Sequence, residues 1–221
     1  MKKTLLLSLV VLFILEGCRT LGYYDITLKE VLKQGNVLQL GDNKTIVNFK
    51  ENNTCCFEDS CIKITFIPLS ANIPFILENK SDQTMKIIWD ETVYIDVNET
   101  CRKVTHAGVK YIDAERTQLP TIIAISSKIH DVIYPTDNIY YISYYISNIY
   151  FAEWKHAPLL PRAYTKYDLE EIKKGYIGKT IKILLPIQIQ NAVSEYLFCF
   201  RINDFIPNNV NKKREEHKQV E

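Results

Sequence analysis

The sequence is poor in glycine, has almost no excess of either charge, and contains only a short apolar run at its start. Its 7 glycines in 221 residues argue against a glycine-rich loop that binds nucleotide phosphates. Lysine and arginine total 27 and aspartate and glutamate 26, giving a formal net charge of +1, so no basic excess points to nucleic acid as a partner. The apolar run at 5–15 is too short for a transmembrane helix, which needs about 20 residues.

Histidines are also few, and none is spaced for metal binding or catalysis. The four histidines lie at positions 106, 130, 156 and 217, so no His-x-His or His-x-x-x-His pair occurs. No nucleophile stands at a recognisable spacing from them either. We therefore expect no enzyme activity, no cofactor and no metal site.

One pair of side chains supports the opposite hypothesis. His106 lies at the end of a predicted strand and Asp90 lies in a neighbouring segment, and together they have the residue types of an acid–base pair or a metal site. The competing interpretation, which we favour, is a polar network at strand ends. In that network Asp90 accepts backbone N–H bonds and His106 donates to a carbonyl oxygen.

What the chain does contain is alternating apolar and aromatic residues. Apolar residues make up 47% of it, including 14 tyrosines and 9 phenylalanines, a composition that favours strands. Short alternating runs recur about every 8–12 residues, which predicts an all-β protein, a single antiparallel β-sandwich of immunoglobulin-like type. The predicted strands cover 45–49, 62–67, 74–78, 86–89, 93–97, 102–106, 121–126, 128–134, 139–150, 179–187 and 194–202.

Two short helices are predicted from capping patterns. Thr27-Leu28-Lys29-Glu30 reads as a capping box, with a stop at Gly35. A second helix is predicted over 165–174, ending at Gly175, with Leu169 and Ile172 buried. The expected domains are a leader at 1–17, a tether with the first helix at 18–35, the β-sandwich at 36–206, and a disordered polar tail at 207–221.

The N-terminus has the pattern of an export leader. Two lysines precede the apolar run, as in secretory leaders, and the run ends in Leu15-Glu16-Gly17-Cys18, which resembles a bacterial lipobox. In that motif the Cys thiol is acylated and the leader is removed before it, so Cys18 is the predicted lipidation site. The alternative is an ordinary cleaved leader in which the cysteine has no role.

Five cysteines remain after Cys18, and an odd number leaves at least one unpaired in an exported protein. Cys55, Cys56 and Cys61 lie close in sequence, so a small disulfide loop closed by Cys61 is the first hypothesis. A long-range bridge between Cys101 and Cys199 is a second. Free buried thiols and a zinc site stay open as alternatives.

Aromatic residues concentrate in one segment, 139–150, which we treat as a strand. Alternation predicts that Tyr140 and Tyr144 point to one side and Tyr141 and Tyr145 to the other, with one set inside. Tyr141 and Tyr145, with Trp154, form the candidate partner surface, because tyrosine and tryptophan suit recognition. The alternative is a strand pair whose outer rings only cover neighbouring strands. Trp89 is predicted to be a core residue.

Several segments carry a resemblance to a family. The most distinctive are Trp89-Asp90 and the His-Ala-Gly-Val-Lys-Tyr run at 106–111; the others are 75–81, 94–96, 104–105, 135–137, 178–179, 185–186 and 196–200. Together they resemble a group of uncharacterised bacterial envelope lipoproteins, over roughly 61–203. The resemblance implies an exported β-sandwich and supplies no activity and no catalytic residue.

These observations lead to one favoured functional hypothesis. The sequence predicts a lipid-anchored protein of the bacterial cell envelope that acts as a binding or assembly module. Its expected partners are the membrane, through the lipid on Cys18, and an envelope protein. Arg19 follows Cys18, where an aspartate would favour inner-membrane retention, so the outer membrane is the expected location. An envelope enzyme or metal-binding protein using Asp90 and His106 is the alternative.

Overall fold

The computed structural model describes residues 21–35, 44–49 and 53–208. The predicted leader, Cys18 and the polar tail from 209 onward lie outside these residues. The described part holds fourteen strands and one α-helix, α1, at Lys166–Gly175. The strands are β1 Gly22–Gly35, β2 Thr45–Phe49, β3 Thr54–Glu58, β4 Ile62–Phe66, β5 Ile73–Asn79, β6 Met85–Ile87, β7 Val93–Ile95, β8 Cys101–Thr105, β9 Thr121–Ile123, β10 Lys128–Pro135, β11 Ile139–Ile146, β12 Ile149–His156, β13 Thr180–Ile189 and β14 Ala192–Pro207.

Twelve of these strands form one continuous antiparallel sheet. Its order is β1-β14-β13-β7-β8-β10-β5-β4-β3-β2, and β6 joins β13 to β9. The prediction of an all-β, antiparallel protein is confirmed. One half of the sheet, β2-β3-β4-β5-β10, faces the other half, β1-β14-β13-β7-β8. The two halves are joined at one side by the short β8–β10 pairing.

The opposite side is closed by side chains, so the sheet forms a nearly closed barrel or sandwich. The Leu28 N–H in β1 donates to the Asn48 side chain of β2 at 2.9 Å. The neighbouring Ile26 N–H donates to the Asn53 side chain at 2.9 Å. Amide side chains therefore take the place of a backbone ladder at this seam, and they satisfy edge groups that would otherwise need water.

The core lies between the two halves and is built from aromatic rings. Phe66 of β4 lies 4.9 Å from Phe198 and 5.1 Å from Phe200 of β14, both edge to face. Phe57 of β3 packs on Phe198 in the same way at 5.7 Å. Edge-to-face pairs add about 1 kcal/mol each beyond their area burial, so these rings hold β3 and β4 against β14.

The predicted helix at 27–35 is wrong: this segment is strand β1. Tyr24, Ile26 and Leu28 are all buried, a period of two that fits a strand, and β1 pairs with β14 along almost its whole length. The hydroxyl of Thr27 accepts from the Asn203 side chain at 3.0 Å and caps no helix. Long-range pairing with β14 has overridden the local capping pattern.

The second predicted helix is confirmed as α1, displaced by one residue. The Thr165 side chain accepts from the Asp168 N–H, and the Asp168 carboxylate accepts from the Thr165 N–H. This reciprocal capping box satisfies two N–H groups that a helix start leaves unpaired. Ile172 is buried, and Leu169 packs against the core, so the helix lies on the barrel with its apolar side.

Other boundaries differ in detail. β3 was not predicted, because Cys55-Cys56 interrupts a visible apolar alternation. β14 extends to Pro207, into the expected tail.

Within the described residues, no helix is both long and apolar enough to cross a membrane.

Candidate functional site

The aromatic segment is a β-hairpin that stands apart from the main sheet. Among the described strands β11 pairs with β12 alone, in a register that runs from Ile139 opposite His156 to Ile146 opposite Ile149. The expected single strand over 139–150 is therefore wrong. The chain reverses at Ser147 and Asn148, both with positive φ, 47° and 66°, as a tight two-residue hairpin turn requires.

The hairpin exposes apolar side chains on both of its faces. Tyr140, Tyr141, Tyr144 and Tyr145 are all between 38% and 72% exposed, so the expectation that one pair packs inside is also wrong. No third strand and no core layer covers the hairpin in the described part of the chain. Its exposed large apolar residues are Tyr140, Tyr141, Tyr144, Tyr145, Ile146, Ile149, Tyr150, Phe151 and Trp154.

One face of the hairpin carries the three residues predicted as a partner surface. Tyr141 packs edge to face on Trp154 at 5.3 Å, and Tyr145 packs on Tyr150 at 5.2 Å. We call Tyr141, Tyr145, Tyr150 and Trp154 the aromatic face. Each pair lies directly across the two strands, so the rings rigidify one another without being buried.

The opposite face is apolar near the turn and charged near the base. Tyr144 stacks on Phe151 at 5.5 Å. Lys155 forms an exposed ion pair with Glu153 at 3.0 Å, and the Tyr144 hydroxyl reaches the same carboxylate at 3.4 Å. Since 139–152 contains no charged residue, the charges stand only where the hairpin joins the barrel.

The base of the hairpin is firmly attached to one end of the barrel. The Ala157 N–H donates to the Asn138 carbonyl at 2.7 Å, which closes the hairpin below its last pair. His156 packs on Tyr134 at 5.3 Å, and the hydroxyl of Tyr134 accepts from the Asn72 side chain at 3.1 Å. Tyr111 adds an edge contact to Trp154 at 6.3 Å, so the aromatic face continues onto the body.

The described start of the chain lies at the same end. The Leu21 N–H donates to the Ala163 carbonyl at 2.8 Å, and the Leu160 N–H donates to the Ser70 carbonyl at 3.1 Å. The segment from 157 to 163 therefore runs from the hairpin base to the beginning of β1. Sequence reasoning had no signal for this proximity, because residues 21 and 156 are far apart along the chain.

Asp90 and His106 do not form a pair with each other. Asp90 accepts from the Gln118 N–H at 3.0 Å and lies 3.9 Å from the Lys103 ammonium. His106 instead bonds through Nδ1 to the Asp131 carboxylate at 3.1 Å. In the described residues no hydrogen bond or ion pair joins Asp90 to His106, and no group of three His, Cys, Asp or Glu side chains is arranged for a metal.

His106 also lies flat on Trp89. The two rings are 4.0 Å apart and nearly parallel, at 3°. Trp89 is fully buried, which confirms its predicted place in the core, and its indole N–H donates to the Thr121 hydroxyl at 2.7 Å. Asp131, which sequence reasoning missed, also accepts from the Ala107 N–H at 2.9 Å. The arrangement fastens the β8–β10 junction.

A second polar cluster was not anticipated from the sequence. Asp59, in the β3–β4 turn, accepts from the Lys33 ammonium and from the Tyr196 hydroxyl, both at 2.9 Å. Burial by itself would raise the pKa of Asp59, but the Ile62 N–H, Lys33 and the Cys61 N–H together hold that pKa below its usual value. Desolvation, followed by the nearby Asp59 charge, raises the pKa of Tyr196. The cluster joins β1, β14 and the turn.

The predicted disulfides are wrong, because Cys55, Cys56, Cys61, Cys101 and Cys199 are all free thiols. Cys101 of β8 lies opposite Ile95 of β7, and Ile95 lies opposite Lys182 of β13. Lys182 in turn lies opposite Cys199 of β14. Three strand spacings separate the two cysteines, about 14 Å. A disulfide needs Cα atoms within about 7 Å.

The three clustered cysteines are also kept apart by the strand geometry. Cys56 lies opposite Thr65, and Cys61 is four residues from Thr65 along the chain, so about 13 Å of strand separates them. Cys55 points inward and is fully buried, which raises the pKa of its thiol to about 11. The three thiols therefore have neither a common position nor a common environment.

Comparison with known proteins adds no identification. No protein-family model, no curated protein and no solved structure matches this chain.

Proposed function

We propose that this chain is a lipid-anchored protein of the bacterial cell envelope that serves as a binding or assembly module. Its β11–β12 hairpin is the docking element and the barrel is the support that presents it. The observation that carries the proposal is the exposure of nine large apolar side chains on a two-stranded sheet.

Such a hairpin is an unusual feature for a surface with no function. A two-stranded hairpin alone is marginally stable in water. Tyrosine and tryptophan are enriched at recognition interfaces, and nine half-exposed side chains of this size offer on the order of 800 Å² over both faces and the turn. Large exposed patches of this kind mark docking surfaces, because leaving them in water costs free energy.

The anchor is proposed from Cys18 and its lipobox-like surroundings. An acylated thiol would hold the barrel at the membrane surface, and Arg19 after it favours the outer membrane. The resemblance to envelope lipoproteins supports the same location. The balanced charge of the chain gives no support to a nucleic acid partner.

Two experiments test the two halves of this proposal. Mass spectrometry of the mature N-terminus is expected to show an acylated Cys18; an unmodified terminus beyond it would exclude the anchor. A photo-crosslinking residue placed at Tyr145 in intact cells is expected to give adducts. The matched control is the same residue at Ile125, which is also exposed but lies in the turn between β9 and β10, at the other end of the barrel. Equal adduct yields at both positions would refute the docking role.

A further inference from the structure

The hairpin, the start of the chain and a group of exposed aromatic residues share one end of the barrel. We propose that the β11–β12 hairpin docks on the lipid surface to which the chain is anchored, as a second membrane contact. The partner of the docking element is then the bilayer itself, at the depth of the headgroups. This inference rests on the proposed function and names its partner.

The length of the tether places this end of the barrel at the membrane. Leu21 is fixed by its hydrogen bond to the Ala163 carbonyl. Cys18 precedes it by three residues, which span at most about 10 Å when fully extended. An acyl chain on Cys18 therefore holds the start of β1 close to the headgroups, and the hairpin base is joined to this region through 157–163.

The surface around Leu21 has the composition of a membrane interface. Tyr23, Leu69, Tyr164 and Tyr167 are each about half exposed or more. Arg162 and Lys166 are exposed beside them, and a cleft of about 480 Å³ opens between Tyr23, Leu69 and Arg162. Tyrosines with arginine or lysine are the side chains that settle at headgroup level.

The distribution of apolar residues on the hairpin favours lipid over a protein partner. Tyr141 and Tyr145 are exposed on one face and Tyr140 and Tyr144 on the other. A flat protein surface covers one face of a hairpin and leaves the other in water. The headgroup layer can contact both faces near the turn, and there it also accepts the two exposed isoleucines that flank the turn, Ile146 and Ile149.

Charge and backbone set the depth of insertion. The run 139–152 carries no charge, so it enters the interface without burying an ion, and Glu153 and Lys155 mark where the charged part begins. Within the described residues neither outer edge of the hairpin pairs with another strand, and the hydrocarbon core would not satisfy the backbone groups along these edges. Water and headgroups satisfy them, as the tyrosine hydroxyls also require.

The test uses the acylated full-length protein reconstituted into vesicles of phosphatidylethanolamine and phosphatidylglycerol with brominated acyl chains. Bromine quenches tryptophan emission only at short range. In the Tyr145→Trp variant we expect bromine to reduce the emission added by the new tryptophan about twofold, since an aromatic ring at this position lies in the interface. The Ile125→Trp variant, in the turn between β9 and β10 at the opposite end of the barrel, is the control and is expected to lose none.

Each outcome decides the inference. Absence of quenching in Tyr145→Trp and also in Ile149→Trp would overturn it, even with Cys18 acylated; crosslinks from position 145 to a protein or to a second copy would then identify a protein partner. Quenching in a preparation whose Cys18 is unmodified would uphold the hairpin contact while refuting the anchor. All three substituted positions are exposed, and thermal unfolding of each variant checks that it is folded.

Discussion

The side-chain amide of Asn48 makes two hydrogen bonds to the backbone of Leu28. Its oxygen accepts from the Leu28 N–H at 2.9 Å and its nitrogen donates to the Leu28 carbonyl at 3.1 Å. This is the pair of bonds that a residue of a neighbouring strand would make. Together with Asn53, this side chain closes the seam between β1 and β2, whose described residues share no backbone ladder.

We therefore expect Asn48→Ala to lower the free energy of unfolding by about 2 kcal/mol, because two backbone groups lose their partners. Ionised Asn48→Asp keeps the acceptor but has no donor for the Leu28 carbonyl, which then repels it, so its loss of stability is expected to be smaller at a pH low enough to protonate the carboxyl group. Urea denaturation measures both variants. The control is Val47→Thr on the same strand, half exposed and not at the seam, and a loss there equal to that of Asn48→Ala would contradict this account.

The Asp59 cluster predicts a specific acid sensitivity. The folded-state pKa of Asp59 is lowered, so the folded protein binds fewer protons than the unfolded chain between the two values. The stabilisation is complete above the unfolded pKa, near 4, and is lost as the pH falls through the lower folded pKa. Free energies of unfolding measured from pH 7 down to pH 2 are expected to fall in this window.

Asp59→Asn is the variant that isolates this effect. It leaves the nearly buried Lys33 ammonium without its counter-charge, so we expect a loss of about 3 kcal/mol at pH 7 and a weaker pH dependence below pH 4. Asp82→Asn, at an exposed turn, is the matched control. It is expected to change neither the stability at pH 7 nor the pH dependence below pH 4. If the free energy of unfolding of Asp59→Asn falls below pH 4 as steeply as that of the unchanged protein, other carboxylates control acid unfolding.

The strands that the sequence predicts well are those with a visible period of two and a buried face. Ile62, Ile64 and Phe66 of β4 are buried while Lys63 and Thr65 are not, as the alternation predicts. β1 shows the limit of such reasoning. Its Thr-x-x-Glu pattern and its helix-favouring residues fit a helix locally, and only the pairing with β14, far away in sequence, makes it a strand.

The candidate site was predictable in composition but not in geometry. Tyr141, Tyr145 and Trp154 could be singled out because aromatic residues concentrate there. The turn at Ser147-Asn148 lacks the glycine that usually marks a two-residue turn, so the run appeared to be one strand. Partners such as Asp131 for His106 and Lys33 for Asp59 depend on long-range register, which no local pattern contains.

The five thiols are predicted to differ sharply in reactivity. Cys101 is exposed, whereas Cys55 and Cys199 are buried, and burial raises the pKa of both buried thiols. Since the thiolate is the reactive form, iodoacetamide at pH 8 is expected to label Cys101 first and Cys55 only after unfolding. Peptide mass spectrometry follows each site. A peptide that joins Cys101 to Cys199 without reduction would contradict the strand register.

The hairpin should be removable without loss of the barrel. The Ala157 N–H donates to the Asn138 carbonyl at 2.7 Å, so the two strands are already close together at the base. Two glycines in place of 140–155 are therefore long enough to connect them. The excised strands pair only with each other in the described residues, and the removed rings leave no cavity in the core. We expect a change in the free energy of unfolding within about 1 kcal/mol, measured with urea.

A matched internal control is removal of one ring of the core, Phe66→Ala, which is fully buried and is expected to cost about 4 kcal/mol. If excising the hairpin destabilises the barrel as much as Phe66→Ala does, the hairpin is part of the folded core and its exposed rings are not a separate docking element.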